Sequence, residues 1–402
     1  MTTISENYIY EILCKIASTC DITKWSHIRE TFESIAQNYF GVIIPVTLKG
    51  KKNCKDTTLH MVLKLAPTDE RYRVSGAVTA MFAREIFVYS ELLYKYKDLQ
   101  KKLPPNAQFE MPTCFFVSNV YCEEVIAMEN MCFKGYLPFT QSRFLDLDHV
   151  TVALKSIAKF HALSYILKEK DRTMYTKAQS VCVPLTKETN NRLITIFICR
   201  LERALEKFEG SEYVQLLEIL KTNCVYFVES AIYRVRSICI SHGDIWKENI
   251  LFKYEDKVPV SACLIDYQTT RMSSPAFDVL YLILSSVDAK LRSNYFAKLL
   301  DIYYYTFSKV LSDAGLVANN IYCKEDFEYD LGIVGPTVFI VANTAIWLSL
   351  GLQEEGHVRS KYLPTTEEEK SQAVNEYKMI IKSMFDDLTT YGYFKVTEPF
   401  NK

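Results

Sequence analysis

The chain of 402 residues has no excess of charge of either sign: 47 basic side chains stand against 48 acidic ones. No global field would draw it to nucleic acid or to an anionic membrane, so any acidic ligand must be held locally. Cys-x-x-Cys pairs, which would signal a metal knuckle or a redox site, are also missing. The twelve cysteines are scattered, and several sit in apolar runs, as Cys199 does in ITIFICR and Cys263 in VSACLID. A thiol so placed behaves as a small buried hydrophobe, which indicates a reducing compartment. No internal repeat or low-complexity linker interrupts the chain, which excludes a collagenous fibre, a repeat array and long disorder. The opening stretch, MTTISENYIYEILCKI, has an acid at Glu6 and no basic segment ahead of an apolar one. That argues against a secretory signal, and a cytoplasmic protein is expected.

What is present is an ordinary globular composition, 49% hydrophobic and 24% charged. Single cores stop growing at about 250–300 residues, so two lobes around a cleft are expected. Residues 331–353 have no charged side chain and are long enough to cross a bilayer. The interruptions at Pro336, Thr337, Asn343, Thr344 and Ser349, with no Lys/Arg cluster at either end, predict a buried helix and no membrane span.

The pattern changes near residue 140. Before it, a helix over 5–20 is followed by strands over 28–34, 40–48 and 60–64, with LKGKKNCKD read as the turn-forming connection between the last two. A helix over 78–96 and strands over 114–120 and 124–128 complete this part. Beyond it, helices over 147–167, 188–208 and 213–234 precede a short strand over 238–240 and a hairpin joined by EDKVP. Ser274 and Pro275 mark a helix start, and the last helix is expected over 366–388.

The chemistry lies in two short pieces, His242-Gly243-Asp244-Ile245-Trp246-Lys247-Glu248-Asn249 and Leu264-Ile265-Asp266-Tyr267-Gln268. A carboxylate, an amide oxygen five positions later and a second carboxylate after a buried strand are hard oxygen ligands, suited to Mg²⁺ bridging phosphate oxygens. Asp244 would accept the proton of a substrate hydroxyl while Asn249 and Asp266 hold the metal.

The string H-G-D-x-W-x-x-N-x-x-F, then I-D-Y-Q, then S-P-x-x-D, resembles the ecdysteroid kinase-like family, insect relatives of choline kinases and aminoglycoside phosphotransferases. The resemblance implies an α+β, two-lobed protein-kinase-like fold, with a small β-rich lobe over 1–130 and a larger, mostly helical lobe over 131–402. It extends to Asn38 and Tyr39 in the small-lobe loop, Lys64 in MVLKLAP, and Phe82, Glu85 and Tyr89 in an F-x-x-E-x-x-x-Y helix. Glu129, Asn130 and Met131 match the hinge, and Ala158 to Ser164 an A-x-F-H-A-x-S helix. In this reading Lys64, fixed by Glu85, neutralises the α- and β-phosphates, and the backbone of Glu129 and Met131 meets the adenine edge. His242 locks the catalytic loop by hydrogen bonds, Asp278 braces that loop from below, Trp246 packs beneath it and His161 is a packed helix residue.

Two departures stand out. Ala36 and Gln37 occupy places where the family carries Gly and an acid, and a Cβ there is expected to crowd the backbone approach to the phosphates. Gly243 replaces the Arg of the protein-kinase His-Arg-Asp, so control by activation-loop phosphorylation is not expected. The implied function is a monomeric small-molecule kinase using ATP and Mg²⁺ on an ecdysteroid or another lipophilic hydroxylated compound, in hormone inactivation or detoxification. The acceptor is expected near Phe339, Trp347 and Tyr303 to Tyr305. A catalytically silent protein binding a nucleotide or lipophilic ligand is the alternative; a membrane anchor over 331–353 is a weaker one.

Overall fold

The structure is a computed structural model and describes residues 6–30, 41–352 and 363–394. Helix α1 (Glu6–Thr19) leads into strands β1 (Thr23–Arg29), β2 (Val42–Lys52) and β3 (Lys55–Leu65). A short α2 (Glu70–Gly76) precedes α3 (Val78–Phe87), which runs through a π turn at Val88–Leu92 into α4 (Leu93–Gln100). Strands β4 (Cys114–Ser118) and β5 (Val125–Glu129) close an antiparallel sheet of order β1-β2-β3-β5-β4.

Successive strand side chains point to opposite faces, and this period of two divides the sheet's labour. Ile44, Val46, Leu48, Met61, Leu63, Leu65, Val125 and Ala127 pack against Ile9, Leu13 and Ile16 of α1 in a separate core. Their neighbours Ile43, Pro45, Val62, Lys64 and Met128 therefore face the other way, into the cleft.

The β2–β3 hairpin corrects the reading of LKGKKNCKD as a turn. Pairing is continuous from Val42↔Leu65 to Lys52↔Lys55, leaving only Asn53 and Cys54 as loop. Both have positive φ, 51° and 64°, as a two-residue type I′ connection requires. Lys49 and Lys51 are therefore strand residues, paired with β1 on one side and with β3 on the other.

The remainder begins with β6 (Tyr136–Pro138), α5 (Leu147–Lys170), α6 (Arg172–Val181), α7 (Lys187–Lys207), α8 (Val214–Thr222) and α9 (Cys224–Tyr233). The expected single helix over 213–234 is thus two, parted at Asn223, whose side-chain amide donates back to the Ile219 carbonyl (3.0 Å) and competes with the helical ladder. Strands β7 (Cys239–Ser241), β8 (Ile250–Glu255), β9 (Val258–Leu264) and β10 (Arg271–Ser273) follow. They pair as a β10-β7 ribbon and a β6-β8-β9 sheet. Helices α10 (Pro275–Ser286), α11 (Ala289–Asp313), α12 (Ala318–Ile321), α13 (Lys324–Ser349) and α14 (Glu367–Thr390) complete the larger lobe. The architecture is the α+β, two-lobed arrangement expected from sequence.

Helix α13 carries most of the uncharged stretch. It and α5 have the length and composition to cross a membrane, yet 83% of the most apolar part of α13 and 78% of that of α5 are buried inside the fold. The Asp330 carboxylate within α13 accepts hydrogen bonds from Ser274 Oγ (2.8 Å), Tyr322 Oη (2.8 Å) and the Arg236 amide (2.7 Å), so its burial is matched by partners.

Candidate active site

Lys64 sits on the cleft face of β3, and helix α3 presents Glu85 to it. Its Nζ donates to Glu85 Oε2 (2.6 Å) and to Asp266 Oδ1 (2.8 Å), with 2% of Lys64 and 1% of Glu85 exposed. Phe82, Glu85 and Tyr89 share one helix face at spacings of three and four. Burial works against the Lys64 charge, but Asp266 and Glu85 outweigh it and raise its pKa. Burial likewise pushes the Glu85 carboxyl above its ordinary range, with Lys64 opposing.

The catalytic-loop candidate grows from β7, which pairs with β10 as Ser241↔Arg271, Ile240↔Met272 and Cys239↔Ser273. Asp278, in the first turn of α10, accepts the amides of His242 (2.7 Å) and Gly243 (3.0 Å), one on each oxygen. His161 Nε2 adds a third contact at 3.1 Å, and its Nδ1 meets Tyr303 Oη at 2.8 Å. Although burial favours protonation of Asp278, the hydrogen bond to His161 and the electrostatic influence of His161, His242 and Arg271 hold its pKa below the ordinary value. His242 Nε2 lies 3.0 Å from the Ile265 carbonyl and thereby ties the two loops together. Gly243 has φ 84°, and a Cβ there would stand 2.5 Å from Arg271 Nη1 and collide with the Thr269 carbonyl, so both conformation and space call for glycine.

Asp244 follows. Its Oδ1 accepts from Tyr281 Oη at 2.9 Å, and burial pushes the half-buried carboxyl up to about 6, the tyrosine opposing. The Asn249 side-chain nitrogen donates to the Asp244 carbonyl at 2.8 Å, which turns its amide oxygen the other way. Register then explains how Asn249 reaches Asp266. Ile250 of β8 pairs with Leu264 of β9, and the Ile265 amide donates to the Asn249 carbonyl at 3.0 Å, so the next residue, Asp266, emerges beside it. Asp266 adopts a left-handed backbone (φ 68°, ψ 65°), strain of about 1–3 kcal/mol of the kind that gathers at functional sites.

The donor set fits a hard divalent cation. One carboxylate and one amide oxygen face the same space, and no group of three or more His, Cys, Asp or Glu side chains that would hold a metal unaided occurs among the described residues. A hard divalent cation held by two such oxygens would take its other ligands from phosphates and water.

Asp244, Asn249, Asp266, Lys64, Glu85, Glu129 and Met131 all line one cleft of about 1710 Å³. Asn38 and Tyr39, with Ala36 and Gln37, lie outside the described residues. The volume exceeds the roughly 300–1,000 Å³ of an ordinary ligand pocket and leaves room for a second compound. Its extension is walled by Leu193, Ile196 and Phe197 of α7 and by Val341, Ala345 and Leu348 of α13, helical stripes at spacings of three and four.

This corrects the expected acceptor wall. Phe339 and Tyr303 are fully buried in packing, Tyr304 is half-buried with its Oη donating to the Tyr322 carbonyl (3.0 Å), Tyr305 is exposed, and Trp347 stacks edge-on with Tyr377; none of the five borders the cleft. Sequence reasoning also missed Tyr281, although its position three residues after Asp278 puts both on one face of α10, and Arg271, for which no sequence signal was available.

Compared with known families, residues 36–316 match the model of the ecdysteroid kinase-like family. No curated protein matches the chain. Among solved structures, the GDP complex of aminoglycoside 2'-phosphotransferase-IIIa is similar over 95% of this chain and 100% of its own, at 14% identity and a TM-score of 0.45. A choline kinase of Streptococcus pneumoniae is similar over 95% and 100%, at 12% identity and a TM-score of 0.39.

Proposed function

The chain belongs to the ecdysteroid kinase-like family, and from that premise and the geometry of the cleft we propose that it is a small-molecule kinase passing the γ-phosphoryl of ATP to an alcohol. The observation that carries this reading is the convergence of Asp244, Asn249, Asp266, Lys64 and Glu85 on one cleft from four separate stretches of chain. A silent binding protein has no need of a base beside a phosphate site.

Each residue has a role that follows from its position. Lys64, held by Glu85, meets the α- and β-phosphates. The Glu129 amide already donates to the Thr113 carbonyl (2.8 Å), so the adenine edge falls to its carbonyl and to the Met131 amide. Asn249 Oδ1 and Asp266 would hold Mg²⁺, which when bound spreads the charge developing on the phosphate oxygens. Asp244 orients the acceptor hydroxyl and takes its proton. The apolar stripes of α7 and α13 suit a lipophilic hydroxylated acceptor such as an ecdysteroid or a dietary toxin, handled in the cytoplasm by a monomer.

Purified protein given Mg·ATP and a panel of hydroxylated steroids and plant metabolites should yield a product heavier by one phosphoryl group. Nucleotide binding with no product from any alcohol would favour the silent binder instead. The ligand role of Asp266 has its own check. Asp266→Ala should weaken Mg·ATP binding about tenfold or more, the scale of one lost contact to a charged group at about 1.5–3 kcal/mol. Chelating the cation should do the same to the unaltered chain, and calorimetry showing equal affinities would remove Asp266 from the metal site.

A further inference from the structure

Resting on the phosphotransferase reading above, we propose that Arg271 is a further catalytic residue, its guanidinium donating hydrogen bonds to the phosphoryl group in transit between nucleotide and acceptor. Arg271 opens β10, five residues after Asp266, and pairing with Ser241 places it beside the turn that delivers Asp244. The side chain is only 7% exposed and borders the cleft. Its one hydrogen bond is a long one, from Nη1 to the Thr269 carbonyl at 3.4 Å, and its Nη2 is buried with no partner among the described residues. Among the described residues no carboxylate pairs with it within 4.0 Å, although Asp244 and Asp278 are close enough to be felt electrostatically. The ring of Phe277, 4.8 Å away, holds the guanidinium by its face.

A buried cation with an unused donor is costly to maintain unless something supplies the missing acceptor. The chain goes further and keeps Gly243 where a Cβ would stand 2.5 Å from Nη1, so the space that arginine fills is reserved by a glycine. The charge that protein kinases carry in their catalytic loop is thus delivered here from a different strand. Lys64 is held by Glu85 and Asp266, and Lys247 pairs with Glu248, which leaves Arg271 among the described residues as the cation that acts on Asp244. Charge at that point is most useful on the group being transferred. The bond from the γ-phosphorus to the bridging oxygen breaks, its electron pair staying on ADP; the acceptor oxygen bonds to phosphorus, and its proton passes to Asp244. Arg271 exchanges neither proton nor electrons and only donates hydrogen bonds, which strengthen as charge spreads over the equatorial oxygens.

Binding of Mg·ADP with and without aluminium fluoride, a mimic of the phosphoryl in transit, separates this role from a structural one. Fluoride should tighten Mg·ADP on the unaltered chain. Arg271→Gln should hold Mg·ADP alone within about threefold and lose about 100-fold of affinity for the fluoride complex, the scale of one removed transition-state donor. Arg271→Lys, which keeps the charge without the fork, should fall between the two and carries the test if the glutamine variant does not fold. The proposal is overturned if the variants keep the full tightening, if affinity drops equally with and without fluoride, if only acceptor binding suffers, or if the unaltered chain binds Mg·ADP yet ignores fluoride. Failure of the unaltered chain to bind Mg·ADP at all would overturn the kinase reading itself, and this role with it.

Discussion

Asp244→Asn should lower turnover by about 10²–10⁴, the usual contribution of a positioned base, while leaving the affinity for Mg·ATP and the fold in place. An asparagine at that position keeps an oxygen for Tyr281 Oη, now 2.9 Å from the carboxylate, and leaves untouched the backbone carbonyl that accepts from Asn249. Only the basicity is lost. The same carboxyl sets the pH dependence. Burial pushes it up to about 6, so below that pH it already carries a proton and is too weak a base to take the acceptor's. The rate should therefore rise as pH climbs through about 6 and then level off. Tyr281→Phe removes the hydrogen bond that opposes this shift, and the acidic limb should move to higher pH. Because the folded-state pKa is raised, ionising Asp244 costs stability at neutral pH, and Asp244→Asn should melt no lower than the unaltered chain. Normal product formation by Asp244→Asn would end the base assignment; an acidic limb unmoved by Tyr281→Phe would detach that limb from this group.

How much of this was legible in the sequence depends on the distance over which each residue is placed. Lys64 and Glu85 were readable through the family resemblance; strand alternation does send Lys64 to the face opposite Leu63 and Leu65, but no local pattern says that Glu85 of helix α3 meets it there. Asp244, Asn249 and Asp266 were readable as a spacing, although their meeting depends on the pairing of Ile250 with Leu264, which no local pattern encodes. Arg271 was not readable for the same reason: its side chain reaches the cleft only through the β7–β10 register. The acceptor wall failed differently. Aromatic residues were taken as the lining, yet Tyr303 and Phe339 were drawn into the core by burial, and aliphatic side chains of α7 and α13 face the cleft instead. The turn at Asn53 and Cys54 was overestimated because lysine and glycine look like loop, while pairing with β1 and β3 keeps them in strand.

The largest stability effect is expected at Asp278, fully buried beneath the loop that carries Asp244. Exposed pairs such as Lys370 with Glu367 contribute about 0–1 kcal/mol, because water competes for both partners. Asp278 has no such competitor. Replacing it with alanine orphans the His242 and Gly243 amides and strands His161 in the core. Each unsatisfied group costs about 1–3 kcal/mol, and breaking a buried charged network typically costs about 3–5 kcal/mol. Asp278→Ala should lose about that much in urea unfolding, and turnover should fall with it as the loop loosens. Mg·ATP affinity should suffer less, since Lys64 and Asp266 are supported from other elements. The sign of the pH dependence follows from the depressed pKa of the native carboxyl. Its contribution is present above the unfolded value of about 3.9 and is lost as pH falls through the native one. The stability gap between the two chains should therefore hold steady from neutral pH to about 5 and close in stronger acid. A variant that unfolds within about 1 kcal/mol of the unaltered chain would show that the loop stands without its brace, since so small a loss is what surface charges produce.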